Sequence, residues 1–177
     1  MVNYMEETSP HIDSARLVGQ EANIWLLLEE VTDPEVPVLS ILDLGIVREV
    51  KVTGLITEPS VEITITPTYS GCPAMDVIAM NIRMMLLSNG YADIKIKNVL
   101  APAWTTDWMT ENGKAKLRAY GIAAPYKISA DNDNDIIYCP QCNSANTKLL
   151  SQFGSTACKA LYQCQDCKEP LDYFKCH

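Results

Sequence analysis

Four of the chain's seven cysteines form two pairs, Cys139-Pro140-Gln141-Cys142 and Cys164-Gln165-Asp166-Cys167, with twenty-one residues between the pairs. A CxxC turn brings two sulfurs to one side of a knuckle, and two knuckles on neighbouring hairpins complete the tetrahedron that zinc prefers. The gap is longer than the usual ribbon range, and an extended hairpin over residues 147–163 would absorb the excess. An iron ion held by four thiolates has the same donor chemistry, and a redox CxxC pair is the weaker alternative. In a reducing compartment such spacing means metal before disulfide.

The other chemistry-bearing stretch is Thr66-Pro67-Thr68-Tyr69-Ser70-Gly71-Cys72-Pro73-Ala74-Met75-Asp76. Pro73 suits a first helical position and Gly71 lets the backbone turn, so Cys72 is expected at or beside a helix N-cap. Unpaired N–H groups there favour thiolate over thiol and make the sulfur a better nucleophile or ligand, while the Asp76 carboxylate opposes this. The competing reading is a small buried apolar residue, the usual fate of a free cysteine. Three carboxylates, Asp33, Glu35 and Asp43, share one proline-rich connection. They could act as hard ligands or as a base facing Cys72, or simply as caps and turn residues. Cys158, Cys176 and His177 are left over as a possible second, open metal site, completed by Cys72 or by a partner's ligand, with bland thiols as the alternative.

These residues need elements to position them. Residues 1–14 lack a period and are expected as a mobile tail containing His11. Leu17, Ile24, Leu27, Leu28 and Val31 make a helical stripe from residue 15 to 31, which stops at Asp33-Pro34. Residues 46–52 and 61–66 alternate as an antiparallel pair of strands. A largely apolar helix, expected to be largely buried, follows Pro73 and ends at Asn89-Gly90, where glycine supplies the left-handed cap. A third strand over residues 94–99 is expected to join in parallel through this crossover. A helix over residues 107–120 then carries a weakening Gly113. The expected organisation is an α+β domain over residues 15–125 with a small mixed sheet, a polar linker over 126–135, and a metal ribbon over 136–177.

The chain's 177 residues, 47% of them hydrophobic, suffice for a real core, and a net charge of -8 with pI near 4.7 argues against nucleic acid or an anionic membrane as partner. No apolar run reaches spanning length, and the expected location is the cytoplasm. The sequence has no paired Glu-x-x-His motifs and no glycine-rich nucleotide fingerprint. With His11 and His177 its only histidines, a Ser-His-Asp or Cys-His arrangement has little to work with. Oxygen or hydride chemistry therefore belongs elsewhere.

Asp33-Pro34-Glu35-Val36-Pro37, Asp43-Leu44-Gly45-Ile46-Val47 and residues 66–73 together resemble the SufT-like family, which includes cytosolic iron-sulfur assembly factors. The resemblance implies an α+β fold with Asp33, Glu35 and Cys72 at the functional edge. Further along, Trp104-Thr105-Thr106-Asp107-Trp108-Met109, residues 116–122, residues 153–162 and Phe174-Lys175-Cys176-His177 are similar to the family of phenylacetate-degradation D subunits. That family is associated with the phenylacetyl-CoA ring epoxidase, a multicomponent di-iron oxygenase whose reductase carries an iron-sulfur centre. It implies a non-catalytic accessory role in metal-centre maturation, with zinc in the ribbon, a transient iron-sulfur cluster or iron as cargo, and the reductase and oxygenase components as partners. A structural adaptor bridging those components is the alternative, and a thiol enzyme acting through Cys72 is a third class.

Overall fold

The computed structural model describes residues 10–55, 57–125 and 136–175, with the backbone alone described over 10–16. Helix α1 (Pro10–Glu29) leads to strands β1 (Val47–Leu55) and β2 (Glu58–Ile65), helix α2 (Ala74–Ser88) and strand β3 (Asp93–Asn98). β1 and β2 pair antiparallel and β3 joins β2 in parallel, with α2 as the crossover. The fold follows the alternation: Val50, Val52, Val61, Ile63 and Ile65 send their side chains into one core with Ile24 and Leu28 of α1. Glu21 of α1 ties the layers further by accepting the Val52 N–H at 3.1 Å.

Two boundaries differ from expectation. α1 begins at Pro10, so residues 10–14 are helical rather than tail; proline's fixed φ and missing N–H suit that first position. The helix expected from residue 107 is broken into a 3-10 turn at Thr106–Trp108 and helix α3 (Glu111–Tyr120). Thr110 caps α3 by accepting the Gly113 N–H at 2.9 Å. The break precedes Gly113, whose role is steric: a Cβ there would lie 2.9 Å from Cβ of Asp43.

α2 is not largely buried. Ala74, Met75, Ile78, Ile82 and Leu86 face the core, whereas Val77, Met80, Met84 and Leu87 form an outer face, with Met80 54% and Met84 59% exposed. Among the described residues no further layer covers that side. As expected, the helix ends through Gly90 at φ 89°, with the Gly90 and Tyr91 N–H groups donating to Leu87 and Leu86.

The second sheet has the order β4-β7-β6-β5, from β4 (Ile122–Ala123), β5 (Thr147–Ser151), β6 (Lys159–Cys164) and β7 (Pro170–Phe174). β4, expected to close the first domain, instead pairs in parallel with β7. The ribbon sheet therefore begins before residues 126–135, the expected linker, which lie outside the described residues. Phe174 and Cys158 belong to the first domain's core, and Phe174 meets Trp104 edge-on, with ring centroids 6.2 Å apart. The Trp104 indole N–H donates to the Leu44 carbonyl at 2.8 Å, which fixes the ring that receives Phe174.

Candidate metal centre and thiol cluster

Two knuckles of matching shape build the first site. Asn143 and Lys168, each directly after the second cysteine of its pair, have positive φ of 58° and 67°, the reversal that returns the chain from a CxxC turn. The Cys139 N–H donates to Ser144 and the Cys164 N–H to Glu169, closing the turns at 2.9 and 3.0 Å. Asp166 links the knuckles by accepting from Ser144 and, at 2.8 Å, from the Asn146 amide.

The four sulfurs lie within 4.8 Å of one another, with Cys139 3.7 Å from Cys167 and Cys142 3.5 Å from Cys164. Four ligands at a Zn–S length of about 2.3 Å stand about 3.8 Å apart at the corners of a tetrahedron, so the donor set fits a thiophilic ion. Backbone N–H groups of Cys167 and Asp166 outweigh burial and hold the Cys164 thiol below its ordinary value, whereas Cys142 and Cys167 are raised beside their neighbouring sulfurs, so the four groups share their protons unevenly. Cys139 and Cys164 are buried, Cys167 is partly buried and Cys142 is exposed, so the donor set opens outward at the second cysteine of each knuckle.

The second site forms where the ribbon meets the first domain. Asp33 accepts the N–H groups of Glu35 and Val36 at 2.8 and 2.7 Å, a turn that fixes where Glu35 points. Cys72 is half-buried, one residue before Pro73, the N-cap of α2, with Gly71 at φ 82° turning the chain as expected. From the ribbon, Cys158 Sγ donates to Glu35 Oε2 at 3.4 Å and lies 3.0 Å from Thr156 Oγ1. Its neighbour Lys159, 6% exposed, places its ammonium 4.0 Å from Asp172 and within electrostatic reach of Asp33.

The electrostatics reverse one expectation. Burial pushes the Cys72 thiol up, and the charges of Glu35 and Asp33 add to it, against the Ala74 N–H and the Tyr69 hydroxyl. The helix N-terminus acts on the sulfur as foreseen but is outweighed. Burial likewise raises Cys158 to about 11, with Glu35 and Asp33 contributing and Thr156 opposing, and it raises Asp33 despite the N–H groups of Val36 and Glu35. A raised thiol beside a carboxylate is a poor nucleophile at neutral pH, and only a thiophilic cation or a base would displace its proton.

Of the carboxylates read as ligands or bases, Asp43 is taken up by the fold. It is 2% exposed and accepts from Thr110, Asn112 and Lys116, the last at 2.6 Å, as well as from the Ser40 N–H. Cys158 goes to Glu35, whereas Cys176 and His177 lie outside the described residues. Tyr69, Thr156 and Lys159 were missed from sequence although all three lie in the motifs that carry the resemblances; nothing local to them shows that the motifs meet in space.

Comparison with known proteins agrees with both modules. The family model described as "Iron-sulfur cluster assembly protein" matches residues 21–96, and that described as "PaaD zinc beta ribbon domain" matches residues 123–175. The chain is 48% identical over 158 residues to the putative D subunit of the 1,2-phenylacetyl-CoA epoxidase of Escherichia coli (strain K12), covering 89% of this chain and 93% of that protein. It is 36% identical over 98 residues to the "Fe-S protein maturation auxiliary factor" of Porphyromonas gingivalis, covering 55% of this chain and 90% of that one. The crystal structure of a domain of unknown function, DUF59, from Bacillus anthracis superposes with a TM-score of 0.52 at 27% identity, covering 62% of this chain and 97% of that one.

Proposed function

The chain belongs to the PaaD family, and from that premise we propose that it is a non-catalytic maturation factor of the phenylacetyl-CoA epoxidase system, supplying iron or an iron-sulfur cluster to the reductase or oxygenase component during phenylacetate catabolism. The observation that supports this reading is that Cys72 lies within electrostatic reach of Glu35 and Asp33 on a domain whose family model is that of an iron-sulfur assembly protein. In it Cys72 holds the cargo, Glu35 receives a displaced proton or lends an oxygen, and Asp33 shapes the turn. Zinc in the four-cysteine ribbon is structural: it holds together a module whose own buried cluster is small, and it attaches that module to the first domain. Free thiols outside the knuckles suit a protein of the reducing cytoplasm.

The outer face of α2 supports a second reading, an adaptor that bridges oxygenase and reductase through Val77, Met80, Met84 and Leu87. The two readings separate on one experiment. The reductase is produced beside this chain or beside Cys72→Ser, and its iron and acid-labile sulfide are measured. Delivery predicts an iron-depleted reductase with Cys72→Ser; a fully loaded reductase would leave the adaptor standing.

A further inference from the structure

Helices α1 and α2 form one layer over the first sheet. Ile24 and Leu28 of one helix share a core with Ile78, Ile82 and Leu86 of the other, and the Asn23 amide donates at 3.3 Å to the hydroxyl of Tyr91, just past the end of α2. The side of the layer turned away from the sheet is apolar as well. On α1 it carries Val18, Trp25 and Leu26, the last 72% exposed, and on α2 it carries the stripe of Val77, Met80, Met84 and Leu87. A helix that is apolar all round is a buried helix, so α2 has the composition of an element covered on both sides.

Charge narrows what the cover is. One residue in five is charged and the net charge is -8, yet the outward side of this layer is nearly free of charge. From Leu17 to Leu28 the one charged residue is Glu21, which accepts the Val52 N–H at 3.1 Å. From Val77 to Ser88 it is Arg83, which donates to the Ile94 carbonyl at 3.0 Å and so turns toward β3. Acidic residues stand at the margins, Glu29 and Glu30 at the end of α1 and Asp76 at the start of α2. A partner selected by charge would seat on those margins. A surface that binds and releases is about as polar as the rest of a protein, whereas one that stays covered is apolar and depleted of charge. Two chains of net charge -8 can approach closely only through a surface from which charge is missing, and each copy presents such a surface here. Size agrees: seven large apolar residues, 36–72% exposed, offer several hundred Å2, on the order of the ~800 Å2 that each side gives a standard interface. The unbranched Met80 and Met84 side chains can repack to fit an identical surface.

We propose that the outer face of α1 and α2 is a homodimer interface, on which a second copy of this chain packs the same face across a two-fold axis. The knuckles and the Cys158–Glu35 contact belong to other elements, so the dimer does not depend on the delivery role and survives its failure. It does remove from the adaptor the surface that reading needs.

Sedimentation equilibrium on the full, zinc-loaded chain tests the interface. Wild type is expected at about twice the 19.6 kDa of one chain across micromolar concentrations. Met84→Lys and Leu26→Glu alter exposed positions on separate helices, so unchanged zinc content and far-ultraviolet circular dichroism should show that both variants fold. Each should weaken association at least about a hundredfold, because a two-fold interface buries every new charge twice. Lys95→Glu, on the opposite face of the sheet, should leave the mass at that of the dimer. Added salt should tighten the dimer by screening two like-charged chains, where a charge-held partner would be released. A wild-type monomer throughout the micromolar range, or a dimer that survives both Met84→Lys and Leu26→Glu, overturns the proposal. So does a wild-type monomer that forms a stable complex through this face with the oxygenase or reductase component, which gives the face to the adaptor.

Discussion

Two acidic residues from one short connection have opposite fates. Burial raises Asp33, whereas at Asp43 the Lys116 ammonium, the Ser40 N–H and the Thr110 hydroxyl outweigh burial and hold the carboxyl below its ordinary value. A depressed carboxylate contributes stability that is whole above its unfolded value and is lost as pH falls through the folded one. Denaturant titrations should therefore show Asp43→Ala destabilised by about 3 kcal/mol or more at pH 7, since Lys116 and the Ser40 N–H lose their partner. The difference from wild type should shrink below about pH 4, where an unfolded aspartate begins to take up its proton. Cys72 behaves in the opposite sense: its raised thiol stays protonated at neutral pH. Iodoacetamide should label it more slowly than free cysteine at pH 7, with a rate that still climbs above about pH 9. Labelling faster than free cysteine would revive the thiol enzyme.

At the scale of elements, α3 is placed by contact rather than by propensity. Gly113→Ala removes a weak helix former and would gain up to about 1 kcal/mol in an isolated helix. In this fold the new Cβ meets Cβ and the carbonyl of Asp43 at 2.9 and 3.0 Å, so thermal denaturation should show a loss. Sequence showed Gly113 only as a weakness, because Asp43 lies seventy residues earlier. Other elements were open to reading: the alternation in β1 and β2, the parallel return of β3, the Gly90 cap and the four knuckle cysteines are local patterns, and their local physics decides them. The outer face of α2 was misread because periodicity cannot tell a second apolar stripe that meets core from one that meets solvent. The pairing of Cys158 with Glu35 spans 123 positions and left no periodic trace.

For the whole molecule, the consequence is that the ribbon lends residues to the first domain's core while keeping a small cluster of its own. Phe174 and Cys158 close the first domain, and β4 adds a strand to the ribbon sheet. Removing zinc with a chelator should therefore be felt beyond the knuckles: near-ultraviolet circular dichroism should lose the signal of Trp104 against Phe174 together with that of the ribbon tyrosines. Retention of the Trp104 signal after complete zinc loss would show that the modules stand independently.

The carrier role is tested most directly by the metal and acid-labile sulfide content of anaerobically purified wild type and Cys72→Ser, before and after iron-sulfur reconstitution. A carrier should show zinc near one per chain in both, with iron and sulfide taken up by wild type and lost in Cys72→Ser. Zinc alone in both, or equal iron uptake by the two, would contradict it.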